Sequence, residues 1–352
     1  MKFGISLVPD GSPETKDPKE YYDDVLRLCE LSDAAGLEWV KMTEHYLHPY
    51  GGYCPDPLAF LAAVAVRTER IRLMTGGVIP VFHHPVILAS RAAMIDVLSG
   101  GRLDLGFARG YLPYEHDTFA VPMAESHERY EAAVGAITRL LTEDRASEDT
   151  PFFAYSDAVA LPRPVQDPIP LWSAAVRTEK SFLRLAELGH GLLATPMFKP
   201  LDLFRQHSEL YRGAYAAAGH ARPAQIAAGL PVFVARTDKE AREVGDRLFQ
   251  HYLDAWVDAA NSWNDVESGS FAGYTDMGKR LGSMTATQWR EFGSAFFGSP
   301  ERVIDQIRAF QENSGGVDGI IAQVDFGAVS GEVMERSVRL LIDEVVPAVS
   351  DL

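Results

Sequence analysis

The chain has 352 residues, 33 of them basic and 49 acidic, for a formal net charge of −16. That balance excludes a nucleic-acid binder, which needs cations to displace the counterions around phosphates, and a polybasic membrane-surface protein. Hydrophobic residues make up 47% of the chain, which excludes disorder and supplies a sizeable core.

Length alone admits two domains or one large barrel. The run Phe3–Val8, ended by Pro9-Asp10-Gly11, reads as a buried strand and is too short for the core of a signal peptide. The first helix follows at 18–35, with Tyr22, Val25, Leu26, Cys29 and Leu31 at helical spacing and Gly36 as its stop. Glu38–Thr43 is a second strand and Pro57–Val66 a second helix; Ile71–Ile79 and Pro85–Leu98 form the third pair. Arg102–Ala108 is a fourth strand, followed by a helix at about 125–141. Beyond a proline-rich, acidic stretch at 142–170 the alternation resumes: Leu171–Ala175 with Thr178–Leu188, Gly191–Thr195 with Leu201–Ala218, and Ile226–Ala235 with Lys239–Ala260. The segment 261–299, rich in Gly, Ser, Thr and aromatics, precedes a helix at 300–313; Gly319–Phe326 and Gly331–Val346 close the series.

Eight strand–helix units over this length fit a single (β/α)8 TIM barrel with insertions spanning 1–352. A segment as long as 261–299 inside a compact barrel reads as a mobile lid before the eighth strand. No apolar stretch approaches the roughly 18 residues of a membrane span, so a soluble, cytoplasmic protein is expected. Cys29 and Cys54 are too few for a disulfide framework and match no zinc spacing.

Barrel chemistry sits where strands end at their C-termini. The second strand ends in Thr43-Glu44-His45-Tyr46, the third in Gly76-Gly77, and the fourth in Ala108-Arg109-Gly110. After the fifth, Ala175-Val176-Arg177-Thr178 leads to Ser181 in the first turn of a helix, where free N–H groups and hydroxyls suit a phosphate. The plainer role for Thr178 is an N-cap. Arg109 adds a guanidinium that fits phosphate oxygens; its plainer role is a loop salt bridge. His45 suits an acid or base, or a structural hydrogen bond. Glu44, His45, His48, His83 and His84 lack the H-x-H or H-E-x-x-H spacing of a metal site, and none is expected.

In this order and spacing the motifs resemble the bacterial-luciferase-like flavin-dependent monooxygenases, nearest the luciferase alpha-chain type. The resemblance rests on Thr43-Glu44-His45, Thr75-Gly76-Gly77, the Asp96–Gly106 stretch with its D-x-L-S-x-G-R pattern, Arg109-Gly110, Trp172–Ala175 with Thr178 and Ser181, His251–Asp254, and Gly298–Glu301. It implies that His45 is the proton-handling residue beside the flavin, with Glu44 and Glu115 as accompanying carboxylates. It also implies that Arg109, Arg129, Thr178 and Ser181 hold the FMN phosphate, and that Gly76-Gly77 carries a non-proline cis bond under the ring. The activity implied is a two-component monooxygenase: reduced FMN, supplied by a separate flavin reductase, meets dioxygen to form a peroxyflavin that inserts one oxygen atom into a small organic substrate. A homodimer packed through the helices after the second and third strands is implied as well. Tyr46, Gly76-Gly77 and Ala108 replace a histidine, two alanines and a cysteine of the alpha chain, which turns the expectation away from light emission. A deazaflavin-dependent oxidoreductase and a non-catalytic flavin-binding homologue share the same barrel.

Overall fold

The computed structural model describes residues 1–198, 200–293 and 295–352. Its strands, in chain order, are β1 (Lys2–Leu7), β2 (Trp39–Met42), β3 (Arg72–Thr75), β4 (Leu103–Phe107), β5 (Ala146–Asp149), β6 (Ala154–Ala158), β7 (Leu171–Ala175), β8 (Gly191–Ala194), β9 (Ile226–Val234), β10 (Phe296–Gly298) and β11 (Gly319–Gln323). Parallel pairing runs β11-β1-β2-β3-β4-β7-β8-β9, and β9 returns to β11, so eight strands close into the expected TIM barrel. Strands buried on both faces explain the nearly unbroken apolar runs at Phe3–Leu7 and Ile320–Ala322.

The helices start where the sequence says they must. Pro18, Pro57, Pro85 and Pro300 each open a helix, where the missing N–H is not needed, behind the capping side chains of Asp17, Asp56, His84 and Ser299. Gly100 ends the Pro85 helix, and Gly189 and Gly219 end two others, all in the left-handed conformation. No helix among the described residues is long and apolar enough to cross a membrane.

The two segments that break the repeat have structure of their own. Within 142–170, β5 and β6 pair as an antiparallel hairpin outside the barrel. Within 261–299, short helices at Met277–Leu281 and Ala286–Glu291 are followed by β10, which pairs in parallel with Val232–Val234 of β9. The end of that segment is therefore part of the sheet edge and not of a loop.

Strand alternation sets the barrel interior in layers. Trp39, Met74, Trp172, Leu193, Ala227 and Ile321 form one packed internal layer. Two residues further along the same strands lie Lys41, Gly76, Ala174, Thr195, Gly229 and Gln323. Three of these six are Gly or Ala, and they leave room: Ala174 is exposed on a central strand, and Lys41, Gly76, Thr195 and Gly229 are half-buried. The barrel opens at its C-terminal end onto a chamber with this layer as its floor.

Candidate active site

His45 stands just past β2, its ring 4.9 Å from Tyr50 and 6.0 Å edge-on from Tyr111. Its Nδ1 lies 3.1 Å from Oε1 of Glu115, which also accepts the Tyr46 N–H at 2.9 Å. Glu115 comes from the short helix Pro113–Thr118 and is fully buried, so its charge is directed at the imidazole. A carboxylate at Nδ1 fixes the tautomer and leaves Nε2 as the nitrogen for chemistry. Oε2 of Glu115 is buried without a hydrogen-bond partner, which leaves a second acceptor inside the site.

Glu44 behaves differently from its neighbour. It accepts from the Tyr46 hydroxyl at 2.6 Å, His83 Nε2 at 2.8 Å and the Ile79 N–H at 3.0 Å. Those bonds occupy both Glu44 oxygens and tie the loop after β3 to the end of β2.

That loop contains the Gly76–Gly77 peptide, which is cis, as the resemblance implies. A Cβ on Gly77 would lie 2.5 Å from the Phe107 carbonyl carbon and 2.7 Å from the Ala108 nitrogen, so only glycine fits against β4. At Gly76 a Cβ would meet the Lys41 side chain at 2.2 Å. Nζ of Lys41 donates to the Gly76 carbonyl at 3.3 Å, and burial pulls its pKa down to about 8.

Across the mouth, Thr178 caps the helix Glu179–Leu188 by accepting the Ser181 N–H, and the two hydroxyls lie 2.8 Å apart. Both expected readings of Thr178, cap and hydroxyl donor at a helix N-terminus, are thus compatible. Ala175 ends β7 buried, and Val176 is half-buried before the turn. Arg109 donates to the Ser270 carbonyl at 2.7 Å and lies 3.9 Å from the centre of the Phe271 ring. Arg177 donates to the Gly273 carbonyl at 2.6 Å and lies over Tyr274. Among the described residues neither arginine has a carboxylate partner, so the salt bridge weighed for Arg109 is not formed. Arg129 is held elsewhere, by Glu125 and over the Phe152 ring, in a neighbouring cleft with His83 and His84.

Segment 261–276 reaches over this mouth. Besides the Ser270 and Gly273 contacts, Trp263 donates to the Tyr111 carbonyl at 2.7 Å, and the Tyr274 ring lies 5.8 Å from that of Tyr111. Two cations without counter-charges among the described residues, with hydroxyls at a helix N-terminus at the same mouth, suit a phosphate, and the small residues of the floor suit a flat ring. Lys41 and the tyrosines around His45 were missed in the sequence. A lone lysine inside an otherwise apolar strand was the available signal.

The D-x-L-S-x-G-R motif has no part in this mouth. Asp96 accepts the Val165 and Gln166 N–H groups, and Arg102 donates to the carbonyls of Ala65, Thr68, Ile71 and Ser99. It is scaffold that joins successive helix–strand connections.

Comparison with known proteins agrees with this geometry. Residues 1–317 match the family model of luciferase-like monooxygenases. The oxygenase component of a flavin-dependent trigonelline monooxygenase from Acinetobacter baylyi is 27% identical, over 100% of this chain and 96% of the relative. The crystal structure of the monooxygenase RslO1 from Streptomyces bottropensis is 34% identical with a TM-score of 0.88, covering 99% of each chain. The fold is also shared by the oxygenating constituent of 3,6-diketocamphane monooxygenase from Pseudomonas putida, a structure in complex with FMN, at 19% identity and a TM-score of 0.80 over 99% of this chain and 98% of that one. The chain belongs to the luciferase-like monooxygenase family and is a flavin-dependent enzyme of that kind.

Proposed function

We propose that the chain binds reduced FMN at the barrel mouth, receives it from a separate flavin reductase, and uses it with dioxygen to insert one oxygen atom into a small organic substrate. The observation that carries this reading is the pair of uncompensated arginines beside the Thr178–Ser181 turn, across the mouth from the His45–Glu115 pair.

The flavin, when bound, supplies the electrons that activate dioxygen; the rest falls to the protein. Thr178, Ser181 and the N–H groups of their turn receive the phosphate, and Arg109 and Arg177 exchange the carbonyls of Ser270 and Gly273 for its oxygens. Gly76 and Gly77 supply a side-chain-free wall for the ring. His45 takes or gives a proton through Nε2, while Glu115 orients the ring and stabilises its cation. Segment 261–276 is the lid: it opens to admit flavin and then excludes water.

Val66, just past the helix Pro57–Ala65, and Ile87, Met94, Val97 and Leu98 on the helix Pro85–Ser99 expose apolar surface. We take this patch as the contact of a homodimer, to be checked by sedimentation of the wild type and of Ile87→Glu. A reductase that draws on nicotinamide puts the pair in the cytoplasm.

The test is a coupled assay with NADH, FMN, a flavin reductase and isotopically labelled dioxygen over a panel of organic substrates, with the reduced deazaflavin as the rival cofactor. Label in a product with FMN and none with the deazaflavin is the expected result. Turnover with the deazaflavin alone would overturn the assignment.

A further inference from the structure

Lys41 is the one cation in the floor layer of the chamber, among Gly76, Ala174, Thr195, Gly229 and Gln323. An ammonium that is only partly open to water gains from a partner, because withdrawing a charge from water is costly. Among the described residues its one hydrogen bond is the 3.3 Å contact to the Gly76 carbonyl, which leaves two of three donors without a protein acceptor there. No carboxylate among the described residues forms an ion pair with it. The nearest carboxylate whose charge acts on it is Asp325, just past β11, and that group is already engaged by the Val8 N–H at 2.9 Å and the Tyr21 hydroxyl at 3.0 Å. Burial also raises the Asp325 carboxyl to about 7, so it is a poor counter-ion near neutral pH.

The phosphate residues follow β4 and β7, whereas Lys41 is on β2, the same strand that leads into His45. Its ammonium is thus at the proton-handling side of the chamber, separate from the phosphate turn. The rings of Tyr50 and Tyr111 stand against His45 on that side, and those of Tyr252 and Trp256 pack against Tyr50.

Taking the flavin reading above as its basis, we propose that Lys41 is the specificity-determining cation of this chamber and that the organic substrate presents an anionic oxygen to it, as an aromatic carboxylate does. Such a group completes the two unused donors and removes the penalty of the unpaired charge. A neutral substrate of the same shape leaves that charge as it was and gains nothing from it.

The test is equilibrium binding to the full chain saturated with oxidised FMN, read by quenching of protein fluorescence. The probes are benzoate, 1-naphthoate and anthracene-9-carboxylate, each against its neutral carboxamide. The best carboxylate is expected to bind at least tenfold more tightly than its amide. Lys41→Met should abolish that preference while leaving the amide's affinity within threefold, and Lys41→Arg should restore part of it. The FMN dissociation constant and the flavin midpoint potential should be the same in Lys41→Met and wild type.

Absence of a carboxylate preference in the wild type, or a preference that survives Lys41→Met, would overturn the proposal. So would a moved flavin potential with the preference intact, since the charge would then serve the cofactor. Binding is read without reduced flavin or oxygen, so a chain that fails as an oxygenase can still pass. Lys41→Met removes an unpaired buried charge and should melt no lower than wild type, which guards against misfolding as the cause of lost binding.

Discussion

The two ends of the barrel handle charge in opposite ways. A cavity of about 540 Å3 lies at the N-terminal end, lined by Lys2, Glu38, Trp39, Arg72, Asp104 and Trp172 among others. Most of its charges are matched: Lys2 pairs with Glu38, and Arg72 meets Asp104 with two hydrogen bonds of 2.8 Å while Trp39 donates to the same carboxylate; the exposed Arg222 at its rim donates to the Pro168 carbonyl. At the C-terminal end Arg109, Arg177 and Lys41 hold only backbone carbonyls, and Glu115 keeps one oxygen without a partner. A cavity therefore marks one end and unmatched charge the other. Matched charges fix a fold, whereas unmatched ones are kept where a ligand completes them.

Substitutions at each end should separate these roles. The largest effect is expected for His45→Ala, which should lower turnover by about 100-fold, within the usual range for loss of an acid–base group, while FMN affinity stays within threefold of wild type. An unchanged turnover rate would remove His45 from the chemistry. Arg109→Ala should weaken FMN binding about tenfold to 100-fold, the worth of one charge-assisted hydrogen bond, with no loss of thermal stability. Titration of both proteins by flavin fluorescence reads this directly.

At the matched end the pattern should invert. Arg72→Met leaves Asp104 buried without its partner and should cost about 2–3 kcal/mol of stability in urea unfolding, with FMN affinity unchanged. A change in flavin affinity without a loss of stability would erase the contrast between the ends.

The smallest effect is one of pH. Burial raises the carboxyl of Asp10 to about 6 and that of Asp325 to about 7, both above the unfolded value of 3.8. A raised carboxyl favours the folded state fully below its unfolded pKa, and that contribution is lost as pH rises through the folded value. Wild-type stability should therefore fall between pH 4 and pH 8, most of it between 5 and 7.5. Asp325→Asn should flatten the decline, and a decline of the same slope in the variant would show that the pH dependence arises elsewhere.

The barrel was legible because its signals are local and repeated: prolines opening helices, glycines ending them, and apolar runs between. Strand ends then narrowed the search, so that His45, Arg109, Thr178 and Gly76-Gly77 all lie at the mouth. What stayed hidden depends on residues distant in sequence. Glu44 and Glu115 are both acidic and both near His45, yet only the fold shows that one anchors a loop and the other faces the imidazole. The 142–170 hairpin was masked by prolines, and β10 by the glycine-rich composition around it. Lys41 reads as an ordinary strand residue until the ring closes and brings it to the floor of the chamber. Arg129 follows the family pattern in sequence, but in the structure its guanidinium is turned to Glu125 and Phe152.

The central claim is that the unmatched end holds reduced flavin. Anaerobic titration of reduced FMN into wild type, Arg109→Ala/Arg177→Ala and Arg72→Met, followed by protein fluorescence, tests it most directly. Saturable binding to wild type, at least tenfold weaker binding to the mouth variant and unchanged affinity in the Arg72 variant are expected. Affinity that is indifferent to the mouth arginines, or that depends on Arg72, would contradict it.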